Sequence, residues 1–184
     1  GEANRLVPVY HEMCGMTWGI VGLGNIGRKV AAVAAALGCR VIANKRTLVP
    51  DFECVGIDEL CRRADIISVH TPLTEGTRGL ISAERIAMMK KNAIVINVAR
   101  GAVCDEAALC AAVADGRIGA IGVDVYSKEP FGTDSPYTAV AGLPNVLLTP
   151  HMAWGSLEAR NRCIAEIAEN IKSYAGGGSR SRIV

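Results

Sequence analysis

A chain of 184 residues, half of them apolar, has room for one core of ordinary domain size. Its 20 basic and 18 acidic residues leave a formal charge of +2, too balanced for a surface built to hold nucleic acid. The longest apolar runs fall far short of the ~20 residues that cross a bilayer, the opening residues do not read as a secretory leader, and seven dispersed cysteines without a C-x-x-C pair suit a reducing cytoplasm.

Residues 1–16 show no period and read as a connection arriving from elsewhere. A strand is predicted at 17–21, and directly after it stands Gly22-Leu23-Gly24-Asn25-Ile26-Gly27, followed by an alanine-rich helix at 26–37 that Gly38 stops. Three glycines in that spacing between strand and helix form a dinucleotide fingerprint. Gly22 permits the tight turn, Gly24 lets backbone approach a pyrophosphate, and Gly27 allows close helix packing, while Asn25 and Ile26 open the helix whose N–H groups face the anion. A second strand at 40–43 ends in Asn44-Lys45-Arg46-Thr47. An NAD site calls for an acidic residue about 20 positions after the loop. Lys45 and Arg46 instead suit a 2′-phosphate, with Asn44 and Thr47 as hydrogen-bonding neighbours, so NADP is the expected cofactor and NAD the alternative.

The pattern then repeats. A helix at 57–63, with Asp58 and Glu59 in its first turn, leads to a strand at 66–70 and the segment His70-Thr71-Pro72-Leu73-Thr74. A helix at 83–89 capped by Ser82 precedes a strand at 94–98 and the run Ile96-Asn97-Val98-Ala99-Arg100-Gly101. Asp105 caps a helix at 106–114, Gly116 ends it, and a strand at 118–123 leads into Asp124-Val125-Tyr126-Ser127-Lys128-Glu129-Pro130. A last strand at 146–149 is followed by Pro150-His151-Met152-Ala153-Trp154-Gly155-Ser156, a helix at 156–174, and a glycine- and serine-rich tail that reads as flexible. Strands alternating with helices predict a doubly wound α/β parallel sheet of Rossmann type. His11, His70 and His151 lie far apart and far from any cysteine pair, so no metal site is expected.

Taken together, the glycine loop, the His70–Thr74 segment and the runs around Arg100, Glu129 and His151 resemble the D-isomer-specific 2-hydroxyacid dehydrogenases, in order and spacing, from about Thr17 to about Tyr174. The run from His151 to Ser156 is most similar to the glycerate dehydrogenase and hydroxypyruvate reductase branch. The resemblance implies that Arg100 holds the substrate carboxylate, His151 is the general acid/base and Glu129 pairs with it. It also implies that Val98, Ala99 and Asp124 face the nicotinamide and that Thr71, Pro72 and Thr77 line the cofactor cleft. Trp154, three residues beyond His151, is expected to shape the substrate pocket and is counted with the cofactor-binding residues. These roles fit elementary chemistry, since reduction of a 2-oxo acid needs a hydride, a proton for the developing alkoxide and a cation for the carboxylate. His70 is expected to be buried or to line the cleft, and Trp18 to pack in the core.

Members of that family exceed 300 residues, so most of the substrate domain is expected to be missing. The expected organisation is an incoming connection at 1–16, a dinucleotide-binding domain at 17–155, and a return helix with a tail at 156–184. The expected partners are a small 2-oxo or 2-hydroxy acid and a second copy of the chain, with neither nucleic acid nor membrane. A chain lacking the second domain should catalyse poorly. The alternative from another functional class is a non-catalytic, NAD(H)-sensing module of the corepressor kind on the same fold.

Overall fold

The computed structural model describes residues 10–46 and 50–183. Two compact units make up the chain, Gly1–Leu148 and Thr149–Val184. Thr47 lies outside the described residues.

The first unit is built on β1 (Thr17–Val21), β2 (Arg40–Asn44), β3 (Glu53–Cys54), β4 (Ile66–Val69), β5 (Ile94–Asn97), β6 (Ala120–Val123) and β7 (Val146–Leu148). They form one sheet in the order β3-β2-β1-β4-β5-β6-β7, and every pairing is parallel. Helices α1 (Asn25–Ala36), α2 (Ile57–Arg63), α3 (Ala83–Met88) and α4 (Glu106–Ala114) connect the strands. This is the doubly wound arrangement that the alternating sequence pattern requires.

Neighbouring side chains on a strand point to opposite faces, and each face buries its own cluster. On one side Ile20, Leu23, Ala31 and Ala43 close together, with Trp18 and Val30 packed against them. Small residues on α1 let that helix lie close to the sheet: a Cβ on Gly27 would run into the carbonyl oxygen of Gly22. The larger cluster includes Val21, Ile42, Leu60, Ile67, Val69, Ile86, Val95, Leu109 and Ile121, drawn from the sheet and from α2, α3 and α4. All four residues of β4 are buried, as expected of a strand at the centre of a parallel sheet.

Local chemistry ends the helices where the sequence says. Ser82 accepts from the Arg85 N–H at the start of α3, and Asp105 accepts from the Ala108 N–H at the start of α4. Gly38 and Gly116 take φ values of 80° and 65° just beyond α1 and α4, a left-handed step open to glycine at little cost. At the opposite end of the sheet from the glycine loop, Asp65 accepts from the Thr17 N–H and pairs with Lys90, both at 2.8 Å.

The second unit holds α5 (Leu157–Ala175), capped by Ser156, whose hydroxyl accepts from the Ala159 N–H. None of its residues is buried, and Leu157, Ile164, Ile167, Ile171 and Tyr174 are exposed. Beyond it, the Arg180 guanidinium reaches back to Glu166 at 2.8 Å and Asn170 at 2.9 Å. No helix among the described residues is long and apolar enough to cross a membrane.

Candidate functional site

β1 and β4 lie side by side, yet the chain leaves β1 toward β2 on one flank and continues from β4 to β5 on the other. Their C-terminal ends therefore open into a crevice, the place where such sheets bind ligands. Gly22 ends β1 there with φ 95°, and a Cβ on it would stand 2.7 Å from the backbone nitrogen of Thr71. Only glycine fits. At Gly24 a Cβ would meet nothing within 4 Å, so the loop presents bare backbone to open space. Gly24 is also the N-cap of α1 and no side chain caps that end, which leaves the first N–H groups free to meet an anion.

A cleft of about 450 Å³ follows from this arrangement. Gly22 and Gly24 line it together with Asn44, Lys45 and Arg46 at the end of β2 and with Thr71, Pro72 and Thr77 beyond β4. A second cleft of about 370 Å³ is lined by Ile26, Val98, Ala99 and Arg100, and it shares His70, Thr71 and Pro72 with the first. Thirteen of the positions singled out from sequence, His70 among them, thus line two clefts with a common wall. Asn25 opens α1 beside Gly24 and lines neither.

Arg100 stands one residue beyond Ala99 after β5, exposed, with its Nη1 donating to the Ala99 carbonyl at 2.6 Å. What fixes this loop is Asn97, a fully buried amide that the sequence reading passed over. Its Oδ1 accepts from the Ala99 N–H at 3.1 Å and its Nδ2 donates to the Arg100 carbonyl at 3.0 Å. A polar side chain closing the apolar run Ile94-Val95-Ile96 was the available signal. Just beyond, Gly101 packs directly on the backbone of Tyr126 and Ser127, where no side chain could fit. Glu106 accepts from the Ser127 N–H at 2.8 Å and Glu129 from the Tyr126 N–H at 2.9 Å, so backbone contacts link the Arg100 loop to the segment carrying Glu129.

Asp124, at the end of β6, is buried, with its N–H donating to the Asn97 carbonyl at 3.0 Å, and it lines neither cleft. Glu129 belongs to the first unit and His151 to the second. His151 has φ 51°, unusual for a side chain with a Cβ, and its N–H donates to the Thr149 carbonyl. Trp154 is 60% exposed and its indole N–H donates to the His151 carbonyl at 2.9 Å, closing a turn within the second unit. His70 lies in the wall common to both clefts, its Nε2 at 2.9 Å from Ser68 Oγ, which also accepts from the Trp18 indole. Burial lowers the His70 pKa below its ordinary 6.5, which keeps the ring neutral. Among the described residues no three metal-ligating side chains come together.

Residues 2–153 match the D-isomer specific 2-hydroxyacid dehydrogenase, NAD binding domain. The chain belongs to this family. Glycerate dehydrogenase of Methylorubrum extorquens is 39% identical over 170 residues, 92% of this chain and 53% of that protein. Among solved structures, D-lactate dehydrogenase with NAD+ from Lactobacillus jensenii superposes with a TM-score of 0.88 at 31% identity, over 96% of this chain and 57% of that one. An acyclic imino acid reductase in complex with NADPH and D-Arg gives 0.84 at 36% identity, over 95% and 56%. The chain therefore spans about half the length of these relatives. The dinucleotide that the family implies fits the bare backbone at Gly24 and the uncapped start of α1. The alternative of a non-catalytic sensing module gains no support from these relatives.

Proposed function

We propose that this chain is the cofactor-binding part of a dehydrogenase interconverting a small D-2-hydroxy acid and its 2-oxo acid, with glycerate and hydroxypyruvate as the favoured pair and NADP(H) as the preferred cofactor. The observation that carries the reading is the common wall of the two clefts: one cleft bears the glycine loop and a cationic rim, and the adjoining one bears Arg100. The kinship with a glycerate dehydrogenase favours that substrate pair.

When bound, the cofactor supplies or accepts the hydride. The Arg100 guanidinium offers parallel N–H donors to the acid's carboxylate and polarises the neighbouring carbonyl, after giving up its contact with the Ala99 carbonyl. His151 gives a proton to the substrate's 2-oxygen during reduction and takes it back during oxidation, with Glu129 orienting its ring. In the complete enzyme, His151→Gln should lower turnover by ~10²-fold or more while cofactor affinity holds, and unchanged turnover removes His151 from the chemistry. In this reading the working form is a cytoplasmic homodimer, and the 184 residues assayed by themselves turn over poorly wherever the clefts stay open to water.

Cofactor choice follows from charge. An aspartate at the end of β2 would accept the ribose hydroxyls and repel a 2′-phosphate, whereas Lys45 and Arg46 attract it. One charge-assisted contact of ~1.5–3 kcal/mol favours NADPH over NADH by roughly ten- to a hundredfold at low salt. Titration of both cofactors, repeated with Lys45→Asp, tests this. Reversal or loss of the preference is expected; equal affinities untouched by the substitution make the turn an ordinary solvated loop.

A further inference from the structure

The 72–80 segment carries no strand or helix, yet it contributes Pro72, Thr74, Thr77 and Leu80 to the first cleft. It is held at both ends. At its start, the backbone of Thr71 presses on Gly22; at its end, the Gly79 N–H donates to the Ala102 carbonyl at 2.9 Å and the Ile81 N–H to the Val103 carbonyl at 3.0 Å. Pro72 has no N–H, so its carbonyl oxygen is the one group through which its backbone can be tied.

The Thr77 side chain supplies that tie. A hydroxyl has one hydrogen to donate and two lone pairs to accept with. Thr77 Oγ1 donates to the Pro72 carbonyl at 2.7 Å, accepts the Thr74 N–H at 2.7 Å, and has the Thr74 hydroxyl at 3.0 Å as its second donor. The Thr74 carbonyl lies farther off, at 3.3 Å, so the shortest bond open to the hydroxyl hydrogen is the one to Pro72, and the side chain that lines the cleft is turned into its own segment. The backbone turn beneath, in which the Thr77 and Arg78 N–H groups donate to the Thr74 carbonyl, does not reach Pro72.

We propose that Thr77 is a positioning residue: its hydroxyl knot holds Pro72, and with it the wall common to both clefts, in the shape that receives the adenylate half of the dinucleotide. This rests on the proposed dinucleotide site. Releasing the knot lets the wall sample other shapes, and a ligand's affinity falls in proportion to the fraction that stays competent. If that fraction drops to about one tenth, Kd rises about tenfold. Thr77→Val removes every hydroxyl bond while keeping the branched shape, and Thr77→Ser restores the hydroxyl. The experiment measures Kd for NADPH and for adenosine 2′,5′-bisphosphate, together with the melting temperature, in the wild-type chain and both variants. Expected are a loss of about tenfold for both ligands in Thr77→Val, recovery to within about twofold in Thr77→Ser, and closely similar melting temperatures. Wild-type affinity in Thr77→Val overturns the proposal, as does Thr77→Ser binding no better than Thr77→Val. A loss of binding that merely tracks early melting overturns it too, by making the knot a stability element alone. A wild-type chain that binds neither ligand, nor NADH, removes the dinucleotide site itself, and that outcome is distinct from the others.

Discussion

A methyl group placed on each of the three loop glycines would meet three different fates. At Gly22 it would strike backbone and the φ of 95° would add strain, so Gly22→Ala should cost ~1–3 kcal/mol of stability, seen as a lower urea midpoint. At Gly27 it would collide with the Gly22 carbonyl and push α1 off the sheet. At Gly24 it would enter open space. Gly24→Val should therefore keep the melting temperature of the wild type and lose dinucleotide affinity, because its bulk stands where the pyrophosphate approaches. A folded Gly24→Val chain with undiminished affinity would sink the assignment of the loop. That the glycine loop and the basic turn at Lys45 line a cleft was legible in the sequence because each is a short local run after a strand, whereas Arg100 was singled out through the family resemblance. Asn97 was not legible, since its importance comes from bonds closed only when the 97–104 loop folds back over it.

At the scale of elements, the sequence located every α-helix and six of the seven strands among the described residues to within two residues at each end, because apolar periodicity and caps are written residue by residue. The missing strand, β3, is two residues long and exists by pairing with Ile42 and Ala43 of β2, a partnership invisible in the dipeptide Glu53-Cys54. Two short 3-10 turns, Gly101–Val103 and Pro136–Ala139, were missed for a related reason: no periodic signal fits three or four residues. Along α5 the apolar residues Ile164, Ile167, Ala168 and Ile171 recur at helical spacing, and all four are exposed. Three isoleucines on one helical face make a patch that favours association. Sedimentation should show self-association that grows with concentration and that Ile167→Glu reduces; a strictly monomeric wild type at high concentration would speak against it.

For the molecule as a whole, acid should act in two stages. Burial holds His70 neutral and its pKa below 6.5, so the unfolded chain binds the extra proton first and stability falls as pH drops below that value. Asp65 responds lower. Burial opposes its ionisation, but the Lys90 ammonium and the Thr17 N–H outweigh this and hold its pKa under the ordinary 3.8. The stability it lends is present above that value and is lost as pH falls through its folded pKa. Urea midpoints measured against pH should show both declines, and His70→Gln should erase the upper one alone; an upper decline that survives in His70→Gln belongs to another group. A different consequence follows from the shape of the sheet, whose strands shorten from five residues at β1 and β2 to three at β7 and two at β3. Edge strands template amyloid-like stacking in proportion to the run of unpaired peptide groups they expose, and these rims expose very little. Aggregates of the native chain should accordingly be held by side chains, stay free of thioflavin binding, and dissolve on dilution.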